Sequence, residues 1–234
     1  MLEGQKCLVI GSGISGIGAA VLLEKNHADV VLYDSSDKLT GEDLKAKLPE
    51  GSRAACIAGE LPENVELSIQ AAVLSPGVPT DIPLVNRMRV QILGEIELGF
   101  LAEQGRVIAI TGTNGKTTTT TLTGEIMKAH FGKDKTFVVG NIGNPYTLEA
   151  DKTSKDSVTV GEISSFQLET IHTFHPVVSA ILNITPDHLN RHHTMEAYVA
   201  AKEAVASQQT KADICVLNYD NDYTRDFAGR CPAT

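Results

Sequence analysis

Tryptophan is absent from this 234-residue chain, and tyrosine and phenylalanine number only five and six. Cores so poor in aromatics have to be built from Val, Ile, Leu and Ala. Basic residues are in deficit as well: 20 Lys and Arg stand against 29 Asp and Glu, giving a formal net charge of −9 and a pI near 5.2. That argues against a nucleic-acid partner, whose phosphate backbone needs a basic face. It leaves room for a small anion held by local backbone amides. Cysteine is scarce, and Cys7, Cys56, Cys215 and Cys231 form no C-x-x-C pair. They read as buried thiols of a reducing compartment, with no metal or redox role. No apolar run reaches the roughly 18 residues of a membrane span. The N-terminus MLEGQKCLVIG enters a strand with no secretory pattern. The expectation is a cytoplasmic monomer without membrane contact.

What is present is ordinary globular composition, 42% hydrophobic and 21% charged, in a length that suits one large or two small domains. Short apolar runs at 6–10, 29–33, 71–74 and 90–93 alternate with helical patterns after residue 16 and at 42–48. Further strands are predicted at 107–110, 136–139, 157–161, 177–182 and 214–217, with a helical stripe of Leu122, Ile126 and Ala129 between the first two. Alternating strand and helix implies parallel sheets. The fold class is α/β: a Rossmann-like parallel-sheet domain over 1–93, then a phosphate-loop NTPase-like domain over 94–234, with a helix at 95–101 crossing the boundary. After 218–222 no closing helix is evident, so the second domain reads as truncated and the chain as a fragment.

Four motifs carry chemistry. Gly11-Ser-Gly13-Ile-Ser-Gly16 follows a strand, opens a helix and has Asp34 at the end of the next strand. Such glycines allow close approach of a pyrophosphate to the helix N-terminus, and an acid at Asp34 suits ribose hydroxyls. The alternative is a merely structural turn. Thr111-Gly112-Thr113-Asn114-Gly115-Lys116-Thr117 resembles a phosphate-binding loop, but isoleucine occupies position 110, where that pattern has its first glycine. Its amides would cradle phosphates, Lys116 would neutralise them, and Thr117 would ligate Mg2+. Glu162, in GEISSFQLE, closes a strand. Alone it reads as a cap or surface charge; beside a phosphate loop it reads as a second oxygen ligand. Last, NITPDHLNRHH (183–193) brings three histidines after a buried strand. Lys202 follows on the line Met195, Val199, Lys202, Ala206, and reads either as a lysine snorkelling to water or as a site residue.

GTNGKT, GNIG (140–143), NITPDHLNRH and a downstream lysine, in this order, resemble the Mur ligase family, which builds the peptide of the bacterial cell-wall precursor. SPGV (75–78), GEIEL (94–98) and EISSFQLE (162–169) narrow the resemblance to the members that add D-glutamate. The resemblance covers essentially the whole chain. It implies an ATP-dependent, ADP-forming amide ligase whose substrates are UDP-N-acetylmuramoyl-L-alanine, D-glutamate and ATP, with Mg2+ as cofactor and an acyl phosphate as intermediate. It further implies ATP binding at Gly112, Thr113, Asn114, Gly115, Lys116, Thr117 and Thr118, and Mg2+ at Thr117, Glu162, His188 and a carbamylated Lys202. Lys116, His188 and Lys202 are the implied catalytic residues. The UDP-linked substrate would meet Ile14, Ser15, Gly16, Asp34, Ser35, Ser75, Gly77, Asn141 and Ser164. A C-terminal domain carrying the D-glutamate contacts is implied beyond this chain, so the chain alone would be inactive. Asn190 departs from the family's D-H-x-D-R pattern, and Ser15 and Ser35 stand where relatives carry threonine. Three rival readings remain: a nicotinamide-dependent dehydrogenase or redox sensor resting on the first loop, a phosphate-loop kinase or GTPase, and a binding module without catalysis.

Overall fold

The computed structural model describes residues 2–234, which divide into two compact units. The first comprises the chain up to Ala102 together with Pro145–Asp151, and the second comprises Glu103–Asn144 and Lys152–Thr234.

In the first unit β1 (Lys6–Ile10), α1 (Ile14–Lys25), β2 (Asp29–Asp34), α2 (Gly41–Lys45), β3 (Ala55–Ala58), α3 (Glu63–Glu66), β4 (Ala71–Leu74), α4 (Pro83–Arg87), β5 (Gln91–Gly94) and α5 (Glu95–Ala102) follow one another. The strands form one parallel sheet in the order β3-β2-β1-β4-β5. Strand alternation sorts the side chains into two layers. Cys7, Val9, Val30, Leu32 and Val73 pack with Leu22, Leu23, Leu44 and Leu98. Leu8, Ile10, Val31, Tyr33 and Leu74 pack with Leu61, Leu84 and Val85 on the other face. Both faces are covered, which is why β1 and β4 read as unbroken apolar runs.

The division falls at Ala102 rather than at the expected residue 93, because Leu98 of α5 is part of the first core. Pro145–Asp151 joins this unit through the buried Glu95, whose Oε1 accepts hydrogen bonds from Thr147 N and Oγ1, each 2.8 Å. Burial pushes the Glu95 carboxyl above its ordinary pKa.

The second unit contains β6 (Arg106–Thr111), α6 (Lys116–Phe131), β7 (Thr136–Gly140), β8 (Val158–Glu162), α7 (Ser165–Leu168), β9 (Val178–Ile181), α8 (Leu189–His192), α9 (Met195–Glu203), β10 (Ile214–Leu217) and α10 (Asp222–Ala228). Its sheet is also parallel, in the order β10-β9-β6-β8-β7, so the C-terminal ends of β6 and β8 lie side by side.

Two expectations are corrected here. The stripe Leu122, Ile126, Ala129 faces solvent; Thr120 and Gly124 are the buried residues of α6, and Met127 and Phe131 pack on the core. Gly124 is required there, since a Cβ would come 2.6 Å from Val138 Cγ2. After Asn218 the chain does form a helix, α10, capped by Asn221, which accepts a hydrogen bond from Thr224 N at 3.3 Å. The last residue pairs with the start of the β10 region through Thr234 N to Asp213 O and Cys215 N to Thr234 O.

All four cysteines are free, but only Cys7 is buried; the others are half-buried, a correction to the expectation of four buried thiols. Burial pushes the Cys7 thiol up to about 11 and Cys215 up to about 12, which keeps both protonated and unreactive near neutral pH. No helix among the described residues is long and apolar enough to cross a membrane.

Candidate active site

The loop between β6 and α6 is a glycine turn that opens a helix. Gly115 is the N-cap of α6 at φ +82°, in the left-handed region open mainly to glycine. The bulky Ile110, found where the usual loop pattern has glycine, belongs to β6 and is buried in the sheet core. The loop is braced from the NIT segment: Thr113 N donates to Asn183 O (2.9 Å), Asn114 N to Asn183 Oδ1 (2.9 Å) and Thr185 N to Thr113 Oγ1 (3.0 Å). Tyr198, on α9, contacts Thr113 Oγ1 with its hydroxyl at 3.0 Å. Thr117 and Thr118 stand exposed on the first turn of α6.

Two amines converge on one oxygen. Lys116 Nζ donates to Gly112 O and Thr113 O, both at 3.0 Å, and Lys202 Nζ donates to the same Gly112 O at 2.8 Å. Lys202 is only 2% exposed and lies 4.7 Å above the Tyr198 ring, so it does not snorkel to water. Burial first, and the Lys116 charge second, push its pKa down to about 7.

Glu162, at the end of β8, is buried. Its Oε2 accepts from Thr117 Oγ1 and its Oε1 from Asn141 Nδ2, each at 2.9 Å. Lys116, Asn141, Ser164, Ser165, Phe166, His188, Tyr198 and Lys202 enclose a cavity of about 200 Å³. Ser164 caps α7 in a capping box with Gln167. Of the three histidines, His188 and His193 are exposed while His192 is buried.

In the first unit, the turn from β1 to α1 is fixed by Asp34. Its Oδ2 accepts from Ser12 N (3.0 Å) and Ser12 Oγ (2.6 Å), and its Oδ1 from Ser36 N (3.1 Å). Burial acts to raise the Asp34 pKa, but the Ser12 and Ser36 hydrogen bonds outweigh it and hold the carboxyl below its ordinary value. Gly16 is where the backbone closes tightest, since a Cβ would lie 1.9 Å from Gly11 O; at Gly13 a Cβ would meet nothing within 4 Å. Gly13 carries no side-chain cap, and the first turn of α1, which begins with Ile14 and Ser15, contains no acidic residue. Ser75 Oγ donates to Gly11 O at 3.2 Å, and Gly77 is exposed beyond it. Beside the turn lies a mainly apolar cavity of about 360 Å³, lined by Gly11, Tyr33, Asp34, Ser35, Val78 and Ile82 among others.

The family profile described as Mur ligase middle domain matches residues 110–233, and that described as Mur ligase MurD-like, N-terminal domain matches residues 5–94. The chain belongs to the Mur ligase family. It is 55% identical over 235 residues to a UDP-N-acetylmuramoylalanine–D-glutamate ligase of Lachnospira eligens, covering 99% of this chain and 52% of that protein. It is 53% identical to the ligase of the same name from Lachnoclostridium phytofermentans, covering 99% and 51%. The chain thus spans about half the length of the curated relatives it matches. Among solved structures, a UDP-N-acetylmuramate:L-alanyl-gamma-D-glutamyl-meso-diaminopimelate ligase from Neisseria meningitides superposes with a TM-score of 0.60 at 13% identity, over 98% of this chain and 76% of that one. At that identity the likeness speaks to the fold alone. The match of residues 5–94 places the glycine turn in a Mur ligase domain and removes the ground for a dehydrogenase.

Sequence reasoning missed several residues that shape these two turns. Asn183 and Tyr198 brace the 111–117 loop. Ser12 links that first-unit turn to Asp34 and receives Lys47 Nζ at 2.9 Å. Asn183 lay inside a motif already singled out. Tyr198 carried a usable signal, being the aromatic one helical turn before Lys202. For Lys47 the sequence offered none.

Proposed function

We propose that the chain carries the substrate- and ATP-handling parts of a cytoplasmic ligase that joins D-glutamate to UDP-N-acetylmuramoyl-L-alanine, converting ATP to ADP and phosphate. What carries the reading is the gathering of Lys116, His188 and Lys202 on one cavity, next to the bonded pair Thr117 and Glu162, in a chain so similar to ligases of that name. In this reading a carboxylate oxygen of the alanyl group attacks the γ-phosphorus of ATP and ADP departs. The amine of D-glutamate then attacks the acyl carbon and expels phosphate. Anionic partners must meet, so the protein's work is positioning and charge neutralisation. The amides of Gly112, Thr113, Asn114, Gly115, Lys116, Thr117 and Thr118 cradle the triphosphate, and Lys116 exchanges its two carbonyl partners for phosphate oxygens.

Magnesium fits the residues present. The Thr117 hydroxyl and the buried Glu162 carboxylate are hard oxygen donors, and Mg2+ is typically held by one or two carboxylates plus substrate phosphates. Among the described residues no group of three or more His, Cys, Asp or Glu stands ready to hold a metal, so the remaining ligands must come from elsewhere. Bound there, the ion would neutralise phosphate charge; a second ion would be held by Glu162, His188 and a carbamate on Lys202. The neutral Lys202 amine, favoured by burial, adds CO2 and releases one proton, turning a repelling ammonium into an oxygen donor. Uracil is assigned to the cavity at Asp34 and Ser35, the diphosphate to Ile14, Ser15 and Gly16 with Ser75 and Gly77 nearby, and the muramoyl-alanyl part to Asn141 and Ser164.

Calorimetric titration with Mg·ATP tests the reading. Lys116→Ala is expected to weaken ATP binding by about tenfold or more, since a charged hydrogen bond contributes about 1.5–3 kcal/mol. Equal affinity in both proteins removes the 112–118 loop from the triphosphate site.

A further inference from the structure

His188 sits in a turn that cannot hold itself. It caps α8, a single helical turn, at φ +51°, and His193 closes the same turn at φ +65°. One turn is too short to be stable alone. Left-handed backbone is unfavourable for residues with a Cβ and persists where surrounding contacts over-determine it. The contacts that do so converge on α7 and the residue after it. Arg191 Nη2 donates to Glu169 Oε2 at 2.7 Å, and His192 Nδ1 lies 3.3 Å from Glu169 Oε1. His192 Nε2 lies 2.9 Å from Ser165 Oγ. Phe166 is covered from several sides: His192 stacks on it at 5.4 Å and 26°, the Arg191 guanidinium lies 4.7 Å above its ring, and the His188 ring approaches to 5.0 Å. The His192 side chain is 3% exposed and those of Arg191 and Glu169 13% and 17%, so the ionic contacts are largely withdrawn from water.

We propose that Glu169, Arg191 and His192 form a clamp that holds the strained 188–193 turn and thereby aims His188 into the cavity that contains Lys116 and Lys202. They are positioning residues, and the inference rests on the reading of that cavity as the ligase site. The clamp assigns the imidazole a tautomer: with the proton on Nδ1, which faces Glu169 Oε1 at 3.3 Å, Nε2 is free to accept from the Ser165 hydroxyl at 2.9 Å.

The test uses the 234-residue chain with 15N-labelled histidine, together with hydrogen exchange. The wild type is expected to show His192 with a protonated Nδ1 and an acceptor-type Nε2. Glu169→Gln is expected to speed exchange of the Arg191, His192 and His193 amides by about tenfold or more. The same variant should shift the His188 ring resonances while α9 and β8 keep their protection. His192→Gln retains an acceptor for Ser165 and should restore most of the protection lost in His192→Phe; this pair decides the matter should Glu169→Gln fail to fold. A His192 protonated at Nε2, or wild-type exchange and His188 resonances in Glu169→Gln and His192→Phe, overturns the clamp. Failure of the underlying reading looks different: the chain does not bind Mg·ATP, while the exchange and tautomer results stand as described.

Discussion

At the scale of single residues, much of the chemistry follows from where a charge is allowed to sit. Lys202 spends its ammonium on one carbonyl oxygen, Gly112 O, inside a buried pocket beside a second lysine. Its folded pKa of about 7 lies below the ordinary lysine value, so between about pH 7 and 10.5 the unfolded chain binds more protons than the folded one. The Lys202 contribution is therefore unfavourable and complete below pH 7, and it is relieved as pH rises toward 10.5. Denaturant titrations of the wild type and Lys202→Met across this range should differ in slope, the wild type alone gaining stability from this group; parallel curves would show that Lys202 is an ordinary lysine. Glycine choice in the first-unit turn gives a second contrast. Gly16→Ala drives a Cβ into Gly11 O and should cost about 1–3 kcal/mol or more, read as a lowered melting temperature. Gly13→Val points its side chain into open space, so the protein should melt within a few degrees of wild type yet lose UDP binding by calorimetry. Unchanged UDP affinity in Gly13→Val would place the diphosphate elsewhere.

At the scale of elements, legibility tracked burial. Strands such as β1, β4, β6 and β8 announce themselves as short apolar runs between turn signals, and the loops that follow β1 and β6 stand out as glycine turns opening helices. The half-buried edge strand β3 (ACIA) and the short α3 and α4 leave no comparable pattern. The buried residues of α6 are Thr120 and Gly124, small or polar ones, so its apolar stripe pointed to the wrong face. Residues gathered by tertiary contact alone, such as Glu169 with His192 or Lys47 with Ser12, are far apart in sequence and share no periodicity. The α6 result is testable. Leu122→Lys and Ile126→Lys should each change stability by less than about 0.5 kcal/mol, as surface substitutions do. Gly124→Val should destabilise by about 1–3 kcal/mol, because its Cβ meets Val138. A large loss in the two lysine variants, measured by urea unfolding, would mean that α6 buries the opposite face.

At the scale of the whole molecule, two parallel-sheet units each place a glycine turn at the C-terminal end of a central strand, one beside an apolar cavity and one beside paired lysines. The family assignment gives these turns a common setting, and the proposed ligation gives them a division of labour between a UDP-linked acceptor and ATP. The curated relatives are about twice as long, so catalysis is measured on protein of their length. The most direct measurement follows oxygen. UDP-N-acetylmuramoyl-L-alanine labelled with 18O in its alanyl carboxylate is incubated with Mg·ATP and D-glutamate, and the released phosphate is weighed by mass spectrometry. The account predicts one 18O per phosphate, formed only when all three substrates are present, because the carboxylate oxygen that attacks phosphorus leaves with it. Phosphate free of 18O, or released at the same rate without D-glutamate, would contradict it.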